Sequence, residues 1–243
     1  GNTDTYASWN WLAGTTSGLS GGTITPSSYS INTTSGFGIY KYTGNSTSGA
    51  TIAHGLGATP KCIIIKRTET TAAWMVYHEA MGNGKYMSLD TNAAEATSAS
   101  AWNDTSPTST LFSLGDGSNV NNSSGTYVAY VFADVKGYSK MGSYTGNGNA
   151  DGPFVYTGFR PSFVMNKFAG GAGYNWIVND DKRPGYNPNV SILAPDLTQA
   201  VNSTGTFACD LLSNGFKFRG TESNVNGAME YLYVAFAEFP TVS

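Results

Sequence analysis

The sequence predicts an all-β chain of two tandem homologous β-sandwich units, jelly-roll-like and with little helix. Three observations predict it. Charged residues are 12% of the 243, while 30 are glycine; long helices and coiled coils need Ala, Glu, Lys, Leu and Arg in quantity. Short apolar runs rich in β-branched and aromatic residues alternate with Gly, Ser and Asn segments, as strands alternate with turns. The sequence also repeats itself, and repeats decide architecture before any local pattern does.

The elements follow in chain order. Thr5-Tyr6-Ala7-Ser8-Trp9-Asn10-Trp11 has the shape of an aromatic strand, and Leu12 to Ser35 is rich in Gly, Ser and Thr. Residues 1–35 are read as a leading strand, the end of an upstream module, followed by a linker. A lone strand has to pair with a sheet of its own chain or of a neighbour. Thr5, Tyr6, Trp9 and Trp11 are therefore the candidate assembly residues, and a homo-oligomer is expected.

Residues 36–136 form the first repeat and residues 137–243 the second. Each opens on an aromatic strand running into Tyr-Thr-Gly-Asn, at Tyr42 to Asn45 and Tyr144 to Asn147. That tetrapeptide reads as a turn, with Gly and Asn supplying positive φ. A Gly-x-x-Pro element follows in both, at Gly57 to Pro60 and Gly158 to Pro161, and leads into an apolar strand. Trp74 and Trp176 then start a further strand in each and are expected to be core. Ser-Asn-Val-Asn recurs at Ser118 to Asn121 and at Ser223 to Asn226. Each repeat closes on a long aromatic strand, Thr126 to Asp134 and Glu230 to Glu238. Lys61 to Arg67 and Tyr127 to Ala133 read as central strands buried on both faces. Thr91 to Ser100 is the best helix candidate, with Pro195 to Val201 its weaker partner.

Composition excludes several functions. Thirteen Lys and Arg against sixteen Asp and Glu leave no basic face for nucleic acid. No run approaches the roughly 18 apolar residues of a membrane span. Cys62 and Cys209, each in an apolar context, read as buried free thiols, and His54 and His78 are too few for a zinc site. The oxygen-rich stretches Leu114 to Asn119 and Asn179 to Asp181 lack a calcium-loop pattern, so no metal or cofactor is expected.

Catalytic constellations are equally sparse. The acid pairs Glu79 with Asp90, Asp104 with Asp116, and Asp180 with Asp181 carry no hydrolase motif. His54 has no nucleophile elbow near it and reads as a strand-end His satisfying a turn. The expectation is a protein without enzymatic activity. Sugar binding is the one chemistry that the composition suits, because glycan sites combine exposed aromatic faces with amide and carboxylate side chains. Trp102-Asn103-Asp104 and Tyr186-Asn187 are the candidate glycan residues, with packing as the competing reading of Trp102.

Five motifs taken together carry a resemblance. They are Tyr42 to Asn45, His54 to Lys61, Trp102 to Ser109, Asp151 to Pro161 and Leu211 to Lys217. The series, over about residues 36–240, resembles an uncharacterised two-repeat domain at the C-terminal end of virion and tail-fibre-like proteins of marine bacteriophages. The resemblance implies a structural or adhesive role on the virion surface, outside a cell, in a tail fibre, appendage or head decoration. It implies as partners further copies of the chain, other virion proteins and a host-surface glycan. It supplies no enzymatic residues.

Overall fold

The computed structural model describes residues 8–183 and 186–239. The first half contains β1 (Ser28–Asn32), β2 (Phe37–Thr43), β3 (Ala50–Ala53), β4 (Pro60–Arg67), β5 (Trp74–His78), β6 (Lys85–Ser88), β7 (Ala96–Thr97), β8 (Leu111–Leu114) and β9 (Thr126–Ala133). The second contains β10 (Ser139–Thr145), β11 (Phe154–Tyr156), β12 (Pro161–Phe168), β13 (Ile177–Asp180), β14 (Ile192–Leu193), β15 (Cys209–Leu212), β16 (Gly215–Phe218) and β17 (Glu230–Ala237). Among the described residues helix is limited to single turns, including α1 (Ala99–Trp102), α2 (Ser118–Asn121) and α3 (Ser223–Asn226). The chain is all-β, as its composition and periodicity require.

Among the described residues the strands form four sheets. A large one has the order β1-β2-β9-β4-β5-β6-β7 and a second β10-β17-β12-β13-β14; β3-β8 and β11-β16-β15 are the two small ones. The run β2-β9-β4-β5-β6 thus reappears as β10-β17-β12-β13-β14, and β3-β8 reappears as β11-β16. Register irregularities fall at the same place in both halves, between Pro60 and Cys62 and between Pro161 and Phe163. Proline, which lacks an N–H, is tolerated at the first position of a strand.

Side-chain alternation gives each large sheet two buried faces. On β9, Tyr127, Ala129, Val131 and Ala133 join a core shared with Ile52, Phe112 and Trp102. On β17, Tyr231, Tyr233, Ala235 and Ala237 join the corresponding core with Val155, Phe216 and Phe218. The opposite faces meet each other. Phe37, Cys62, Val76 and Phe132 from the first half pack with Phe163, Met165, Leu232, Val234 and Phe236 from the second. The order of layers is small sheet, large sheet, large sheet, small sheet, with an apolar seam between the two large sheets.

The repeated polar motifs act as clamps. The Tyr42 hydroxyl donates to the Val120 carbonyl at 2.7 Å, and the Tyr144 hydroxyl to Val225 at 2.7 Å. The buried Asn121 amide accepts from Asn45 N at 2.8 Å and donates to Gly115 O at 2.8 Å and Thr47 O at 3.0 Å. Asn226 makes the same three bonds, from Asn147 N and to Gly220 O and Asn149 O. Tyr42 stacks on Tyr127 and Tyr144 on Tyr231, each pair with centroids 5.0 Å apart. One turn of helix at Ser-Asn-Val-Asn positions an asparagine that closes the Tyr-Thr-Gly-Asn loop.

Several expectations need correction. Gly44 and Gly146 do not have positive φ; it falls at Ser46 and Gly148 instead. The glycines are required by closeness, because a Cβ at Gly44 would lie 2.3 Å from Asn122 O and one at Gly146 2.1 Å from Gly227 O. Leu12 to Ser35 is no linker: β1 extends the large sheet through β2, and Ile24 and Ile31 are buried in the first core. The helix expected over Thr91 to Ser100 shrinks to α1, capped by the Ser98 side chain, which accepts from Ser100 N. Pro195 to Val201 is not helical; there Asp196 accepts the Trp176 N–H at 3.2 Å.

Candidate functional site

The part of the leading segment that is described, from Ser8 on, does not form the expected strand. Thr5 and Tyr6 lie outside the described residues. Residues 8–14 take part in no strand, and among the described residues the first backbone pairing is the bridge between Thr15 and Ile31. Trp9 and Trp11, two positions apart and therefore on one side of an extended chain, lie over the seam. Trp11 packs edge-on to Phe236 at 5.2 Å, Phe132 at 5.8 Å and Phe163 at 6.0 Å, and is tilted against Phe37 at 6.3 Å. Trp9 meets Phe163 at 5.5 Å. Two of these four phenylalanines come from each half, so one indole bridges both large sheets.

Two clefts flank this segment. One, of about 420 Å³, is apolar, with Trp9, Trp11, Ile64, Trp74, Tyr130 and Met165 in its walls. The other, of about 470 Å³, is lined by polar groups as well, including Asn32, Ser35, Ser162, Asp181 and Lys182. Cys62 borders the apolar cleft, and its burial pushes the thiol up to about 12, which keeps it protonated.

Several of the groups able to do acid–base chemistry are engaged in holding backbone. His54 donates from Nε2 to Thr108 O at 3.1 Å and accepts the Leu56 N–H on Nδ1 at 3.2 Å, the turn-satisfying role expected of it. Thr157 occupies its place in the second half and bonds to Phe159 instead. His78 reaches across the seam from Nε2 to Tyr233 O at 3.1 Å and accepts the Ala80 N–H on Nδ1 at 3.2 Å. Burial pulls its pKa down to about 4. At the equivalent position Asp180 is buried and accepts from Lys182 N and Arg183 N at 2.9 and 3.1 Å, with Arg183 Nε at 2.5 Å. Glu79 pairs with Lys61, and Asp90 accepts the Trp74 N–H. The Lys167 side chain is buried and donates to Phe168 O at 2.8 Å, with desolvation drawing its ammonium down to about 8. Among the described residues no group of three or more His, Cys, Asp or Glu could hold a metal ion.

The glycan candidates separate. Trp102 is 1% exposed and packs against Tyr77 at 5.8 Å, so it has no face to offer a sugar; this corrects its assignment. Asn103 ends α1 in the left-handed region, and its Oδ1 accepts from Ser48 Oγ at 2.8 Å. Asp104 is exposed beside it. In the other half Asn187 spends its amide on β15, donating to Leu211 O and accepting from Leu211 N, both at 3.0 Å. Tyr186, 70% exposed, is carried by that anchor. The two groups lie in different halves and are not brought together.

Phe154 and Tyr156 are exposed aromatics that the sequence reading does not single out. They are 45% and 59% exposed on β11, with Val155 between them pointing into the core. Lys140 Nζ sits 5.7 Å from the Tyr156 ring centroid. The only sequence signal was alternation over three residues, too short to distinguish a strand from a loop.

The family described as a domain of unknown function (DUF7483) matches residues 1–240. No curated protein and no solved structure matches the chain.

Proposed function

The chain belongs to the DUF7483 family, and from the resemblance of its motifs to virion and tail-fibre-like proteins we propose that it is a non-enzymatic structural module of a bacteriophage particle, carried on the virion surface in a tail fibre, appendage or head decoration. The observation that supports the structural part of this reading is the seam. Two repeated halves are joined by a continuous apolar layer with Trp9 and Trp11 over it, an arrangement suited to rigidity. The clamps add hydroxyl and amide bonds that need no charged group, in keeping with an exterior protein of low charge. Immunogold labelling of purified particles tests it. Label on a fixed site of intact virions is expected, and particles that never take label, alongside free antigen that does, count against it.

A second reading, a receptor- or glycan-binding role on the same particle, is favoured by Tyr186, exposed on a loop that Asn187 anchors to β15. Glycan-array binding that Tyr186→Ala removes would support it, and an array blank at millimolar sensitivity would remove it.

A further inference from the structure

The two small sheets are equivalent, but their free edges are treated differently. In the first half β3 pairs with β8, with Thr51 opposite Ser113 and Ile52 opposite Phe112. In the second β11 pairs with β16, with Phe154 opposite Lys217 and Val155 opposite Phe216. Phe154 therefore takes the place of Thr51, and Tyr156 that of Ala53. The outer edge of β3 is closed by the chain's own segment. Thr23 N and Ile24 N both donate to Thr51 O at 2.9 Å, and Thr51 N donates to Thr23 Oγ1 at 2.8 Å. Gly22 has φ +77 and approaches so closely that a Cβ there would lie 2.7 Å from Thr51 O. Ile24 is buried beside Ile52.

At β11 no strand takes the corresponding position among the described residues; the sheet order is β11-β16-β15. By equivalence with Thr51, the backbone N–H and C=O of Phe154 face outward from that edge. An unclosed edge is a template for another strand, and main-chain bonds supply most of the affinity when one is added.

We propose that the β11 edge, Phe154 to Tyr156, is a docking site for an extended peptide segment from a partner. The occupant has a glycine at the point of closest approach and an aliphatic residue two positions on, as Gly22 and Ile24 do at the other small sheet. The Phe154 and Tyr156 rings, 45% and 59% exposed in this structure, then flank the added strand. The edge opposite Asn187 is not involved, so this site is independent of the glycan reading of Tyr186.

The test is titration of the ¹⁵N-labelled full chain with a terminally blocked peptide of residues 17–26, followed by amide chemical shifts. Saturable shifts at Phe154, Val155 and Tyr156, with Thr51 unmoved, are expected. Phe154→Pro removes the outward N–H at an edge position where proline is compatible with the fold, and it abolishes the shifts. Phe154→Ala, which keeps the N–H, retains them, and a peptide with Gly22 replaced by Val gives none. Absence of shifts at millimolar peptide overturns the proposal, as do shifts that survive Phe154→Pro. So does movement of the same amides by a neutral oligosaccharide when the peptide moves none, which would make the two rings a sugar platform.

Discussion

Trp11, in the leading segment, and Phe236, in the final strand, meet edge to face with ring centroids 5.2 Å apart. The contact ties the beginning of the described chain to its end across the seam. Replacing a well-buried Trp by Ala costs about 3–5 kcal/mol. Trp11 is half-buried, so Trp11→Ala is expected to cost about 2 kcal/mol and Trp9→Ala less. Guanidinium unfolding followed by far-ultraviolet circular dichroism measures both, and a Trp11→Ala midpoint equal to wild type would show that the segment contributes nothing.

Asn121 and Asn226 each close a loop through three hydrogen bonds while fully buried. Alanine at either position leaves backbone groups unpaired away from water, at about 1–3 kcal/mol per unsatisfied group. Either substitution is expected to lower stability by about 3 kcal/mol. Equal losses at the two sites, read from denaturant midpoints, would show that the clamps are equivalent in energy as well as geometry.

Gly146→Ala probes the same clamp from the other side. The added methyl would stand 2.1 Å from the Gly227 carbonyl oxygen, which is backbone and cannot rotate away. A loss of about 3 kcal/mol is expected. Gly148→Ala, with no neighbouring atom within 4 Å but φ +67, is expected to cost only about 1 kcal/mol. The comparison of the two melting temperatures separates crowding from backbone strain.

His78 makes stability depend on pH. Its folded pKa is held near 4, mainly by burial, against an ordinary value of 6.5. The unfolded chain therefore takes up the proton first. The stability is fully present above pH 6.5 and is lost as pH falls towards 4, by about 3 kcal/mol in all. His54, whose pKa is also lowered by burial, acts in the same direction. Urea unfolding between pH 7 and pH 4, on wild type and His78→Gln, should show a smaller slope in the variant. Identical slopes would mean that His78 is not the group responsible.

The thiols are expected to be silent. Cys62 and Cys209 are buried and unpaired, and burial raises the pKa of both. Since the thiolate is the reactive form, the native chain should resist a disulfide reagent that labels both thiols in denaturant. Rapid labelling of the folded chain at pH 7 would contradict this burial.

Much of the fold was legible because the repeat is written in large residues. The closing strands Thr126 to Ala133 and Glu230 to Ala237 declare themselves by aromatic alternation. Both prove to be central; the second is buried on two faces, while the first keeps Val128 and Tyr130 half-buried on its seam side. The seam was not legible. Phe37, Phe163 and Phe236 look like ordinary core residues of separate units, and nothing local shows that their faces meet. Trp9 and Trp11 read as part of a pairing strand because Thr5 to Trp11 has the shape of the closing strands, whereas side chains hold them, Trp11 against four phenylalanine rings and Trp9 against Phe163. Ile24 and Ile31 were hidden in a hydroxyl-rich stretch that resembles a linker. Of the site residues, Tyr186 was anticipated as an aromatic between prolines, while Trp102 looked loop-borne because the single turn of α1 that buries it is too short to detect.

The seam also determines how the chain can be divided. The turn at Val135 to Tyr138 joins the halves, with Tyr138 N and Ser139 N donating to Val135 O. A cut there would leave two pieces, each with one large apolar sheet face turned to water. Such faces promote association, so neither piece should behave as a free-standing monomer. Produced together, they should find each other and restore the layered body by fragment complementation, with the aromatic face of each acting as the other's missing solvent shield.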